Sequence, residues 1–321
     1  MQGARAHASL IAAAAGATVP AMKPFRGTYT VMITPFDAEG AVDAGALAAF
    51  TEWQVAEGIH GLIPLGSTGE FLSLSDAERR LVAQTVIGTA RGRVPVLVGT
   101  GSEDTRDVVR YSREAEALGA DGVMIIPPYY CTPTDDELLH HYRTVAGAIG
   151  IPIMVYNNPA TANVDLKPPL VARLAEIPGC DYIKESTLEV TRVRDIIRLC
   201  GDAMAVFGGV LGFESFVEGA VGWVAVASNV APGPMARLFT LVADEGRVAE
   251  GRAHYLHWLP VIEAVFGQRY VGGTKALLRH MGFPAGQPRP PRLPLPPADD
   301  AAMRALVAQF GLRFAGAQAV P

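Results

Sequence analysis

A lysine interrupts an apolar strand in the stretch CDYIKEST, residues 180–187. Tyr182 and Ile183 precede it, and an ammonium group beside them is partly stripped of water. The ordinary fate of such a lysine is an ion pair with a buried carboxylate, or a strand-end side chain that reaches back to solvent. The chemical alternative is nucleophilic. Desolvation favours the neutral amine, and a neutral amine adds to a carbonyl to form a Schiff base. Lys184 is therefore the candidate nucleophile. Schiff-base chemistry also needs protons moved between carbinolamine, imine and substrate hydroxyl, a task for phenols and hydroxyls. Tyr156 in VYNNP, Tyr130 in PPYY, and Ser67 or Thr68 in GSTGE are the candidates. The Gly-Ser-Thr-Gly turn has a second capability, because successive N–H groups and two hydroxyls make a nest for a carboxylate. Turns of that composition are also common without any ligand.

These residues sit at the ends of short apolar runs. Strand-like segments cover 27–34, 61–66, 94–100, 122–128, 151–157, 182–186, 205–209 and 223–228, and a helix-like segment follows each. Ser75-x-x-Glu78 and Thr134-x-x-Glu137 are capping boxes, and Pro168 suits a first helical turn. Eight such units, with strands that are near-continuous apolar runs, predict a parallel sheet closed into a (β/α)8 TIM barrel, an α/β fold. An open doubly wound sheet would carry a Gly-rich phosphate turn after the first strand, and TPFDAEG is not one. Further helices are expected near 247–266, 270–281 and 299–310, with a proline-rich strap before the last. The organisation expected is a flexible Ala-rich N-terminal extension (1–23), a catalytic barrel (24–245) and a C-terminal helical segment (246–321).

Composition removes other classes. The formal net charge is -5 and no basic run is present, which disfavours a nucleic-acid partner. No run of apolar residues is long enough to span a membrane. Cys131, Cys180 and Cys200 are far apart and odd in number, which suits a reducing cytoplasm better than a disulfide framework or a zinc site. No cofactor and no metal is expected. A metal-dependent barrel enzyme would place histidines at strand ends. None of the seven lies there; His140 and His141 read as surface helix residues, and His254 and His257 as one face of a late helix.

Taken together and in this order, GSTGE, PPYY, VYNNP and IKES resemble the dihydrodipicolinate synthase / N-acetylneuraminate lyase family of class I, pyruvate-type Schiff-base lyases. The likeness runs from about Lys23 to Leu312. It implies that Lys184 is the Schiff-base lysine and Tyr156 the acid/base tyrosine. Ser67 and Thr68 are implied to bind the keto-acid carboxylate, with Ser67 also in the proton relay. Gly208 and the backbone of Val224 are implied to line the substrate. Tyr130 is implied to cross into a neighbouring active site, which makes the chain part of a homo-oligomer, a dimer of dimers. Members that condense pyruvate with aspartate semialdehyde carry an arginine after the YN-P segment, and Thr161 holds that place here. A threonine offers no charged fork to a carboxylate. The expected function is thus an aldolase or dehydratase acting on pyruvate or a 2-keto-3-deoxy sugar acid. The alternatives are 4-hydroxy-tetrahydrodipicolinate synthase and a non-enzymatic keto-acid-binding paralogue.

Overall fold

The computed structural model describes residues 25–315; the expected N-terminal extension lies outside them. Eight strands alternate with helices. The strands are β1 Gly27–Val31, β2 Gly61–Ile63, β3 Leu97–Gly99, β4 Gly122–Ile125, β5 Ile153–Asn157, β6 Tyr182–Glu185, β7 Ala205–Gly208 and β8 Gly222–Ala225. All pairings are parallel, in the order β2-β1-β8-β7-β6-β5-β4-β3. A parallel bridge between Leu62 and Val96 brings the two ends of the sheet together. Across that seam the Leu62 amide donates to Pro95 O at 3.0 Å and the Gly99 amide to Pro64 O at 2.9 Å. The sheet is therefore a nearly closed barrel, as the eight-fold alternation predicts.

The outer helices are α1 Ala44–Ala56, α2 Asp76–Ala90, α3 Thr105–Ala117, α4 Asp135–Ala146, α5 Pro168–Leu174, α6 Thr191–Cys200, α7 Gly212–Val217 and α8 Pro232–Phe239. Three more follow: α9 Val248–Ala264, α10 Tyr270–His280 and α11 Pro297–Phe310. Both capping boxes form. Ser75 and Glu78 close the start of α2, and Thr134 and Glu137 that of α4, each side chain taking an otherwise orphaned first-turn amide. No described helix is long and apolar enough to cross a membrane.

The strands stop earlier than the apolar runs that encode them. The last residues of a run leave the ladder to build the loop at the barrel mouth. After β2, Ser67–Gly69 coils into a 3₁₀ turn, and after β8, Ala227–Asn229 does the same. Two asparagines stitch these ends to neighbouring strands. Asn229 Oδ1 accepts from the Ile33 amide at 3.0 Å while its Nδ2 donates to Val31 O at 2.9 Å. Asn157 Nδ2 donates to Glu185 Oε2 at 2.9 Å and its Oδ1 accepts from the Leu166 amide at 2.9 Å. Both asparagines are buried, so each bond satisfies a group that water cannot reach.

One expectation is overturned. His140 is exposed, but His141 is only 3% exposed. The inner face of α4 runs through Leu138, Leu139, His141, Tyr142 and Val145, so the helical period turns His141 inward. Its Nδ1 meets the Thr105 hydroxyl at 2.9 Å. Burial, with a smaller contribution from His140, lowers its pKa from 6.5 to about 4. Below pH 6.5 the unfolded chain then binds a proton that the folded chain refuses, so stability falls as pH drops from 6.5 to about 4 and levels off below. The loss at the acid end is expected to be about 3 kcal/mol, from 1.36 kcal/mol per pH unit. Urea titrations between pH 7 and pH 4 should show this slope in the wild type and lose it in His141→Gln; an equal slope in both would assign it elsewhere.

Candidate active site

β5 and β6 lie side by side with Tyr156 opposite Lys184. Parallel neighbours at one level point the same way, so the phenol and the amine enter the barrel together. Both are 5% exposed. Lys184 Nζ lies 3.8 Å from the centroid of the Tyr156 ring. Asn158 Nδ2 donates to the Tyr156 hydroxyl at 2.8 Å, with the side chains of Lys184 and Ser67 near it. Burial alone would raise this phenol, yet the charge of Lys184 and the polar side chains of Asn158, Lys184 and Ser67 outweigh it, and the net shift is downward. The site thus holds an amine in contact with a phenol that ionises more readily than a free one.

The GSTGE turn forms the opposite wall. Its flanks are strained: Leu65 has φ 61° and Glu70 φ 57°, both in the left-handed region. Such residues persist only where their surroundings fix them. Glu70 is fixed by a fully buried ion pair, Lys275 Nζ to Oε1 at 2.7 Å. The Arg289 amide donates to its other oxygen at 2.8 Å. Lys275 belongs to α10 and Arg289 to the strap before α11, so the last third of the chain grips the turn that carries Ser67 and Thr68. The Arg289 guanidinium extends that grip, donating to Ser73 O at 2.7 Å and pairing with Glu78 of the α2 capping box.

The other expected residues are more dispersed. Tyr130 stands 85% exposed on its own chain. Its loop is held in shape by Glu103, whose carboxylate accepts from the amides of Tyr129, Tyr130 and Cys131 at 2.9–3.0 Å. Asn163 adds a bond from Nδ2 to Tyr130 O at 2.8 Å. Thr161 is exposed in the loop after β5, its hydroxyl donating to Asn158 O at 3.4 Å. Val224 is fully buried on β8, beside Tyr29 in the ladder. Gly208 ends β7; an added Cβ there would meet Ser215 and Leu211, toward α7, and one at Gly209 would run into Ser186. Gly208 is small because α7 packs behind it.

Three contributors escape strand-end reasoning. Asn158 was legible in VYNNP as a residue two beyond Tyr156, but its bond to the phenol depends on the loop turning back. The Glu70–Lys275 pair joins residues some two hundred positions apart, and no local pattern signals it. Tyr270, in the first turn of α10, lies close enough to Tyr156 and Thr68 to interact with both; it follows no strand.

A parallel barrel with a buried lysine against a tyrosine at the mouth defines the class of Schiff-base lyases. The chain belongs to the dihydrodipicolinate synthetase family, whose sequence model matches residues 24–310. It is 39% identical over 296 residues to the 4-hydroxy-tetrahydrodipicolinate synthase of Nitrobacter hamburgensis, covering 90% of this chain and 97% of that protein. The enzyme of the same name from Acidiphilium cryptum is 36% identical over 90% of this chain and 99% of its own length. Among solved structures, the chloride-inhibited dihydrodipicolinate synthase of Acinetobacter baumannii complexed with pyruvate is similar with a TM-score of 0.87 and 30% identity, over 90% of this chain and 100% of that one. YagE, a prophage protein of the same family from E. coli K12 in complex with pyruvate, is similar with a TM-score of 0.84 and 30% identity, over 90% and 100% of the two chains. The chain is therefore a class I lyase, an enzyme rather than a keto-acid-binding paralogue.

The ion pair beneath the turn is testable apart from activity. Lys275→Met leaves Glu70 buried without its cation, and should cost about 3–5 kcal/mol in equilibrium urea unfolding. The double variant Glu70→Gln/Lys275→Met should recover much of that loss. A single-variant cost under about 1 kcal/mol, the scale of an exposed pair, would mean the pair does not hold the turn.

Proposed function

We propose that this enzyme condenses pyruvate with aspartate semialdehyde through a Schiff base on Lys184, the reaction after which its relatives are named. The contact between the Lys184 amine and the Tyr156 ring at 3.8 Å carries the assignment. A phenol drawn below its ordinary range by the neighbouring charge is suited to take a proton from that amine. The freed amine adds to C2 of the keto acid. One proton shifts from the added nitrogen to the oxygen on C2 and Tyr156 returns the other to it, so that water leaves and a protonated imine remains. The protonated imine draws in the electrons of a C3–H bond as the Tyr156 phenolate takes that proton, and an enamine forms. Enamine C3 then bonds to the aldehyde carbon while a proton passes to the aldehyde oxygen. Ser67, near the phenol, extends the relay. Thr68 and the amides of the GSTGE turn hold the carboxylate.

Tyr130 completes the picture only in an assembly. An 85% exposed tyrosine on a loop shaped by Glu103 and Asn163 suits insertion into the mouth of a second copy. We accordingly assign a homo-oligomer, a dimer of dimers, working in the cytoplasm, where Cys131, Cys180 and Cys200 stay as free thiols. A second reading concerns the acceptor. Thr161 at the rim is exposed and uncharged, and this favours a hydroxylated partner, so cleavage or dehydration of a 2-keto-3-deoxy sugar acid by the same lysine is the competing reaction.

Borohydride reduction in the presence of pyruvate should add a stable mass to the peptide bearing Lys184, and none in Lys184→Arg; an active enzyme with that peptide unmodified ends the Schiff-base assignment. Turnover of aspartate semialdehyde with pyruvate, set against a panel of 2-keto-3-deoxy sugar acids, decides the acceptor. Efficient use of the sugar acids alone would sink the first reading, and efficient use of the semialdehyde alone the second. Tyr156→Phe should lower kcat by about 10²–10⁴-fold. Because the folded phenol ionises below its ordinary 10.0, the wild-type rate should rise with pH at a point under pH 10, and the Phe variant should lack that rise.

A further inference from the structure

The two asparagines that follow Tyr156 serve different faces of the barrel wall. Asn157 continues the ladder and turns outward, its Nδ2 on Glu185 Oε2 at 2.9 Å. Alternation along the strand returns Asn158 to the lumen side. The chain bends sharply there, and the amides of Thr161 and Ala162 both donate to Asn158 O at 3.0 Å. The bend carries the Asn158 side chain back over the mouth, where its Nδ2 donates to the Tyr156 hydroxyl at 2.8 Å. The loop has anchors of its own. Asp165, at its far end, accepts from both Nη1 and Nη2 of Arg192 on α6, and Asn157 Oδ1 holds the Leu166 amide at 2.9 Å.

The phenol is thereby held from two sides. Lys184 Nζ lies 3.8 Å from the centroid of its ring, and the Asn158 amide meets its oxygen. An N–H aimed at a phenol oxygen occupies one of the oxygen's lone pairs and leaves the O–H to point away from the loop. The same N–H binds a phenolate about twice as strongly as a neutral hydroxyl, because the acceptor then carries charge. The contact therefore strengthens at the moment when the proton is gone. The titratable groups that act on this phenol are Lys184 of β6 and Tyr270 of α10, while Ser67 and Asn158 are neutral.

We propose that Asn158 is a positioning residue of the proton relay, its side-chain N–H fixing the Tyr156 hydroxyl and stabilising the negative charge on the phenol oxygen once the proton has left. The inference rests on the assignment of Tyr156 as the acid/base group. Asn158→Leu removes the donor at similar volume. Loss of a hydrogen bond to a charged group should lower kcat by about tenfold to a hundredfold. The half-saturating pyruvate concentration should stay within about threefold, since substrate binding is untouched. The rise of rate with pH should move upward by about one to two pH units. Asn158→Asp keeps the shape but offers only acceptor oxygens, which hold the phenol protonated, so its rise should lie higher still. Asn158→Gln, which keeps an amide donor, should recover part of the rate. A residue needed only for shape would instead rank the Asp variant nearest to wild type. A rise at the same pH in wild type and Asn158→Leu, or an Asp variant that matches wild type, overturns the proposal. If Tyr156→Phe turns over at the wild-type rate, the acid/base assignment fails by itself. Ultraviolet titration of tyrosine ionisation, read as the difference between each protein and its Tyr156→Phe form, then still decides the role of Asn158. A Tyr156 signal displaced to higher pH in Asn158→Leu supports it, and an undisplaced signal ends it.

Discussion

The chemistry proposed for this chain depends on a matter of register, Tyr156 opposite Lys184 in the β5–β6 ladder. Side chains alternate across a strand, so a slip of one residue would send either group out under the helices. The register is held by bonds outside the regular pattern. Asn157 and Glu185, the next residues along, share a buried hydrogen bond at 2.9 Å. That bond lies on the opposite face of the same two strands. It therefore locks the alignment without occupying the lumen.

Much of the fold was legible because each level of the sequence agreed with the next. Continuous apolar runs marked parallel strands, capping boxes marked helix starts at Ser75 and Thr134, and the count of eight marked closure. Strand ends were the weak point. Hydrophobicity continues past Ile63 and Ala225, but the backbone there is claimed by turns that serve the mouth. Periodicity also placed His141 on a helix without telling which face the barrel would cover. The proposed nucleophile, its tyrosine and the GSTGE hydroxyls were picked out from residue type at strand ends, which fixes where a side chain emerges. Tyr270, Lys275 and Glu103 could not, since each acts on the site from an element whose docking is tertiary.

The GSTGE turn shows how function and strain share residues. Glu70 occupies a left-handed conformation that glycine would adopt without penalty, at an expense of about 1–3 kcal/mol. Its carboxylate explains the choice. It binds Lys275 and the Arg289 amide, two contacts from segments that no strand reaches. Gly99 across the seam is small for a related reason, because a side chain there would collide with the Leu65 carbonyl.

The bond between Glu70 and Lys275 also sets an order of assembly. A chain emerges from the ribosome N-terminus first, and its early parts begin to fold as they appear. All eight strands of this enzyme are available before Lys275 is made. The nascent barrel must wait with one wall of its mouth unanchored, and the pocket becomes competent only when the final helices arrive.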